Sequence, residues 1–385
     1  MVRMHLRWLG LVMAGLLLGV PGFAHAQDEK KADDKKAEKK KADEKPAEAP
    51  TGHKTKQVIE HLDNPSGVCV SQKNGHVFVT AVNGIFRYVP ASGTNTHKIF
   101  LEIDRGMTPV ADVYGKGPMY NVGPLGCALW GNDRLIIGDG SKKDGEEVVR
   151  IYKIGDNAPP PKMIPLEDSA EFTLGPIPEG SEASPKGEGN FYAIAVWNDA
   201  IYVTSNGDDT KGWILKSEIK DGKPGPLTAS IATKEQVEVD APEGITVSPD
   251  NMSLVVGQGG EVNMPGDSLL TTYGADGKLI KKYTTGLNDL CGLAYSPTTK
   301  KLYGVDFSWV DPAQGGLFEL TIEGETCKAT KVSLLDSEGK NPVALDRPTA
   351  LAFDKDGRCY ITVFGTGKDT GDKPKGGVFR VDAGL

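Results

Sequence analysis

Six times between Gly67 and Leu385 the chain repeats one order of features: a small residue opening an apolar run, a polar turn, a second apolar run, a Gly-rich loop and an amphipathic third run. The copies begin at Gly67 (GVCVS), Gly126 (GCALW), Ala193 (AIAVW), Gly244 (GITVS), Gly292 (GLAYS) and Ala350 (ALAFD). Their second runs are HVFVT, RLIIG, AIYVT, MSLVV, KLYGV and RCYIT, each reached through a short turn such as QKNG, PDN or KDG. β-Branched and aromatic runs separated by turn residues form hairpins. The third runs (GIFRY, VVRIYKI, GWILKSEI, DSLLTTY, GGLFEL, GGVFRV) alternate apolar and polar residues, as a half-buried strand does. A unit repeated at 48 to 67 residues cannot bury its own apolar face and must stack on its neighbours. The pattern predicts an all-β chain, a six-bladed β-propeller of four-stranded antiparallel blades over residues 55–385.

Outer, fourth strands are expected at THKIFL, KMIPL, LTASIA, LIKKY and TKVSLL, but the sixth copy reaches Leu385 with no room for one. The segment Thr55 to Leu62 (TKQVIEHL) precedes the first copy and has no blade of its own, so it is expected to close the last blade and remove an exposed sheet edge. Two Gly- and Pro-rich insertions, Glu102 to Val122 and Glu167 to Gly189, enter inner strands on one face. Loops carried on a rigid scaffold are where binding residues concentrate, so that face is the expected functional one.

Residues 1–26 read as a secretion signal: Arg3 and Arg7, an apolar run from Leu9 to Val20, then Ala24-His25-Ala26. The run is short for a membrane span. Residues 27–54 read as a solvated linker, since eight lysines balance eight acids between Asp28 and Pro50 and no large apolar residue is present. An exported, periplasmic or secreted protein with no stable membrane span after cleavage is the expectation. Removing Arg3 and Arg7 takes the formal charge from −8 to −10, which argues against nucleic acid or an anionic membrane as partner.

Five cysteines (Cys69, Cys127, Cys291, Cys327, Cys359) are widely spaced, without CxxC, and read mainly as core residues with one pair possible. Beyond the signal the histidines are His53, His61, His76 and His97, confined to the N-terminal strand and first blade. A metal held by histidines from separate blades, or a channel histidine acting as base, cannot be assembled from that distribution. There is no GxSxG, HExxH or EF-hand pattern.

With Pro-x-Gly entries to inner strands (Pro65-Ser66-Gly67, Pro242-Glu243-Gly244) and turns such as SPDN and DKDG, the folded part resembles NHL-type propellers. It also resembles the gluconolactonase, senescence-marker and paraoxonase-like superfamily. That resemblance implies Ca2+ or another divalent cation in the central channel, held by oxygen ligands placed just before the inner strands and able to polarise an ester carbonyl. The matching positions here are Ser66, Leu125, Tyr192, Glu243, Cys291 and Thr349, of which only Glu243 is a hard anionic ligand. Two residues further out lie Asn64, Asn190, Asp289 and Arg347, so a metal set would be drawn from Glu243, Asp289, Asn64 and Asn190.

Loops after the second strands add Asp139, Asp208, Asp209 and Asp306, and the aromatics Phe307, Trp309, Tyr114, Tyr120 and Phe364 lie on the same face. Acids, amides and rings together suit a sugar or peptide ligand. The sequence thus points to an exported binding protein for an envelope or extracellular protein, peptide or glycan. Glu243, Asp289, Asp306, Arg347 and Trp309 form the expected mouth. The alternative is a divalent-metal-dependent hydrolase of the lactonase type, with Glu243 and Asp289 as ligands.

Overall fold

How near the inner strands come to one another explains the small residue that opens each repeat. The computed structural model describes residues 51–82, 84–90, 98–104, 123–155, 164–165, 170–181, 184–207, 211–365 and 375–385. Inner strands are Gly67–Val70, Pro124–Trp130, Phe191–Trp197, Pro242–Val247, Leu290–Tyr295 and Pro348–Phe353. A Cβ on Gly67 would stand 2.3 Å from the carbonyl oxygen of Leu125, and one on Gly126 would stand 2.5 Å from that of Tyr192. Only a residue without a side chain permits that approach. Each inner strand lies against the next, and Gly67–Val70 also lies against Pro348–Phe353. They surround an axial cavity of about 380 Å³ lined by residues from all of them.

Each inner strand continues as an antiparallel meander. In the fourth repeat Pro242–Val247, Leu254–Gln258, Leu269–Tyr273 and Leu279–Thr284 pair in order, and the other repeats follow the same course. The residue ending the inner strand fastens the turn: Ser248 Oγ accepts the backbone N–H groups of Met252 and Ser253, and Asp354 Oδ1 accepts those of Asp356 and Arg358. Hydrophobic cores lie between neighbouring meanders. Ile201, Val203 and Leu215 pack against Ile136 and Ile151, for example, and Val77 and Val79 pack against Tyr360 and Val378. The segment His53–Leu62 pairs antiparallel with Gly376–Val381, with Thr55 opposite Val381 and Leu62 opposite Gly376.

Among the described residues the hydrogen-bonded sheets number five, because the fourth and fifth meanders are joined at their rims by one parallel bridge between Thr284 and Thr326. Two outer strands differ from expectation. Within KMIPL, Ile164–Pro165 pairs in parallel with Ile103 and Asp104 of the first repeat. The outer strand of the second repeat is Ala170–Leu174, whose alternation sends Phe172 and Leu174 into the core while Glu171 forms a two-pronged ion pair with Arg134 at 2.9 and 3.0 Å. In the fifth repeat the outer strand is Thr326–Lys331, placing Cys327 and Ala329 inward, and Leu334–Leu335 pairs in parallel with His53 and Lys54. Among the described residues there is one short helix, Thr233–Val237, and no helix long and apolar enough to cross a membrane. Residues 1–50, Tyr114, Tyr120, His97, Asp208 and Asp209 lie outside the described residues, and the expected linker ends earlier than residue 54, because His53 and Lys54 already belong to the strand His53–Leu62.

Candidate functional site

Glu243 is the second residue of its inner strand, where the pairing of Pro242–Val247 with Leu254–Gln258 is interrupted by a bulge. Its carbonyl oxygen is held from the neighbouring repeat by Thr204 Oγ1 at 2.9 Å. Ala241, two residues before it, has a φ of 57°, a left-handed value that costs energy in a residue with a Cβ. Gly259 leaves room for the Glu243 carboxyl group, since a Cβ there would stand 3.1 Å from the carboxyl carbon. No hydrogen bond reaches that carboxyl among the described residues. Burial first, then the charges of Asp289 and Asp306, push its pKa up to about 8.

Asp289 just precedes the inner strand of the next repeat and is buried. Its Oδ2 accepts the backbone N–H of Trp309 at 2.6 Å, while Oδ1 accepts nothing from the described residues. Burial raises its pKa to about 6; the Trp309 N–H opposes the rise, and Asp306 and Asp267 add to it. Asp306 has a different role. Only 1% exposed, it accepts the N–H groups of Asp289 at 2.8 Å, Ser308 at 3.0 Å and Asn288 at 3.1 Å, and so pins together the two loops that carry Asp289 and Trp309.

Below the carboxyl pair, Tyr192 donates its hydroxyl to the carbonyl of Thr349 at 3.1 Å, and Cys291 Sγ donates to that of Pro348 at 3.2 Å. Burial, with Glu243 and Asp289 nearby, keeps both groups protonated by raising their pKa well above the ordinary values. Tyr192 and Cys291 also line the axial cavity, whereas Glu243 and Asp289 do not. Position alone marked Tyr192 in the sequence, one residue before a repeat start; its contact with Thr349 across the axis carries no local signal.

At the rim Arg347, with φ 53°, lays its guanidinium over the Trp309 ring at 5.7 Å and donates to Asp346 Oδ1 at 3.2 Å. Trp309 stacks on Phe307 (5.4 Å between centroids, 8° between planes), and Phe364 meets Phe307 edge-on at 5.7 Å. The expected mouth residues Glu243, Asp289, Asp306, Arg347 and Trp309 are thus linked through charge, backbone hydrogen bonds and ring contacts.

Of the other two expected metal ligands, Asn190 has its side chain engaged elsewhere. Asn190 donates its backbone N–H to Glu147 and its amide to Asp144 Oδ1 at 3.3 Å and Asn206 O at 3.4 Å. Asn64 has φ 41° and its carbonyl accepts the Ser66 hydroxyl at 3.3 Å. Among the described residues no three His, Cys, Asp or Glu side chains gather to hold a metal. A calcium ion takes roughly six to eight oxygens. With Asp306 committed to backbone N–H groups, this donor set among the described residues does not fit a resident divalent cation.

No protein-family model matches the chain, and no curated protein sequence matches it. Solved structures do. The PQQ-bound aldose sugar dehydrogenase of Streptomyces coelicolor is similar at TM-score 0.53 and 15% identity, over 87% of this chain and 100% of that one. A putative oxidoreductase (glucose dehydrogenase) of Thermus thermophilus is similar at 0.53 and 16%, over 86% and 100%. A gluconolactonase of Xanthomonas campestris is similar at 0.50 and 13%, over 86% and 90%. These are β-propeller proteins, and at such identities the likeness establishes the fold.

Proposed function

We propose that the chain is a hydrolase of a lactone or related ester, working with a carboxyl pair at the mouth of its channel. What supports this reading is a Glu243 carboxyl with no hydrogen bond among the described residues and a buried Asp289 held by the Trp309 N–H, whose surroundings raise their pKa values to about 8 and about 6. Between those values one carboxyl is protonated and its neighbour ionised. Two titratable groups driven apart by their surroundings divide the roles of acid and base.

In this mechanism Asp289 Oδ1 takes a proton from a water molecule as its oxygen attacks the carbonyl carbon. The ring C–O bond then breaks, and the leaving alkoxide takes the proton of Glu243. A hydroxy acid departs, and the proton on Asp289 passes back to Glu243. The acidic mouth and the net charge of the chain favour a neutral substrate, and a hydroxylated lactone meets that condition. Likeness to sugar-handling propellers supports the same substrate class.

The Arg347–Trp309–Phe307–Phe364 stack favours a second reading, a ligand platform without turnover for a protein, peptide or glycan. A panel of sugar lactones and aryl esters, assayed from pH 5 to 9 with and without chelator, separates the two. A large fall in turnover in both Glu243→Gln and Asp289→Asn is expected; binding of a panel member without turnover would instead favour the platform. Chelator-sensitive turnover would return a metal to the site.

The proposal also takes the meanders as six blades, the last completed by Thr55 to Leu62, and the Thr284–Thr326 bridge as a rim contact between two blades. It takes residues 1–26 as a cleaved signal and 27–52 as a spacer before the strand that begins at His53, which would put the propeller in the periplasm or outside the cell. The mass of the mature chain tests the cleavage.

A further inference from the structure

One buried hydroxyl joins the two sides of the carboxyl pair. The Glu243 carboxyl group lies against Gly259 of its own repeat, and Asp289 leads directly into Leu290 of the next. Ser268, fully buried just before the third strand of the fourth repeat, donates its hydroxyl to the carbonyl of Gly259 at 2.8 Å and accepts the N–H of Leu290 at 3.1 Å. Its own backbone is held by the segment that leads to Asp289: its N–H donates to the carbonyl of Leu287 at 3.2 Å, and its carbonyl accepts the Thr285 hydroxyl at 2.8 Å. Asn288 makes a second link. Its Oδ1 accepts the N–H of Gly266 at 3.0 Å, and its Nδ2 donates to Ser308 Oγ at 2.8 Å, one residue before the N–H that holds Asp289 Oδ2. Both ends of that amide are thus engaged, one with the fourth repeat and one with the fifth.

We propose that Ser268 and Asn288 are positioning residues, two hydrogen-bonded links between the fourth and fifth repeats that fix the spacing of the Glu243 and Asp289 carboxyl groups. The inner strands set the backbones, but each carboxyl stands beside loops whose shape depends on such links. A group that gives or takes a proton must stand within hydrogen-bond reach of the reacting atom, and a displacement of about 1 Å costs up to about a hundredfold in rate. With the links cut, the loop carrying Gly259 and Gly266 parts from the one carrying Asp289 and Trp309, and water enters between the carboxyls. The part these residues play in chemistry rests on the hydrolase reading above, whereas the spacing they hold does not.

Urea unfolding of the full chain at about pH 9, where both carboxyls are largely ionised, measures how strongly the two groups act on each other, from Glu243→Gln, Asp289→Asn and the two together. Like charges held close give non-additive effects, and that non-additivity should fall by about half or more in Ser268→Ala and in Asn288→Ala. Asn288 is half-buried, so its variant decides where Ser268→Ala fails to fold. On the lactone that the native protein turns over fastest, kcat should fall about tenfold in each variant with KM changed by less than about twofold, and Ser268→Thr, which keeps the hydroxyl, should recover most of the loss. A merely structural link would lower stability and leave kcat unmoved. Non-additivity that is absent from the native sequence, or that survives unchanged in both alanine variants, overturns the proposal, as does a native kcat in both. A native protein without turnover whose non-additivity still falls in the variants removes the hydrolase and keeps the two links.

Discussion

Thr204 and Glu243 belong to different repeats, yet the threonine hydroxyl holds the glutamate's carbonyl at 2.9 Å. The same hydroxyl accepts the N–H of Ala193, so one side chain ties the inner strands of two repeats together. Thr204→Val keeps the shape but leaves a buried carbonyl and N–H without this partner, which costs about 1–3 kcal/mol. Urea unfolding should show that loss, and Thr204→Ser should recover most of it. Equal midpoints for all three proteins would remove the tie from the account.

Glycine at the repeat start is a steric requirement. Gly126→Val places atoms where the carbonyl of Tyr192 already stands, 2.5 Å from an ideal Cβ. Overpacking of this kind costs about 1–3 kcal/mol. A matched control is Gly75→Ala, in a turn with open space around it but a φ of 73°, which tests backbone strain without a clash. Gly126→Val should lower the unfolding midpoint more than the control does.

Stability should fall as pH rises through the site's titration. Glu243 has a folded pKa raised from 4.5 to about 8, and Asp289 has one raised from 3.8 to about 6. Between its two values each group binds more protons folded than unfolded, so its contribution is fully present below the unfolded pKa and is lost as pH passes the folded one. Thermal midpoints should therefore decline from about pH 5 to pH 9. Glu243→Gln should flatten the upper part of that decline, and a slope unchanged in the variant would contradict the assignment.

Trp309 sets Asp289 through its backbone, and the ring stack sets Trp309. Removing Arg347 from the ring face, as in Arg347→Met, should loosen the N–H that holds Asp289 Oδ2 at 2.6 Å. Because that hydrogen bond favours the ionised carboxylate, its weakening should move the lower limb of the pH–rate profile upward and leave the upper limb in place. A purely structural role for Arg347 predicts lower stability with both limbs unmoved.

Periodicity carried the architecture, since the alternation in GIFRY or GGVFRV is a local property of a strand buried on one face. It misplaced the outer strand of the second repeat because KMIPL and AEFTL both read as short apolar runs, and only the latter sends Phe172 and Leu174 into a core. Glu243 and Asp289 were visible from their positions at strand starts. The commitment of Asp306 to three backbone N–H groups was not, because those donors lie 17 and 18 residues earlier and two residues later in a loop whose shape no local rule dictates. The same holds for Tyr192, whose hydroxyl meets Thr349 from a repeat 157 residues away.

The most direct test is the pH–rate profile of lactone hydrolysis in the presence of chelator. A bell with limbs near 6 and 8 is expected, losing its upper limb in Glu243→Gln and its lower limb in Asp289→Asn as residual activity falls. A profile without those limbs, or turnover that only an added divalent cation restores, would contradict a carboxyl pair acting as acid and base.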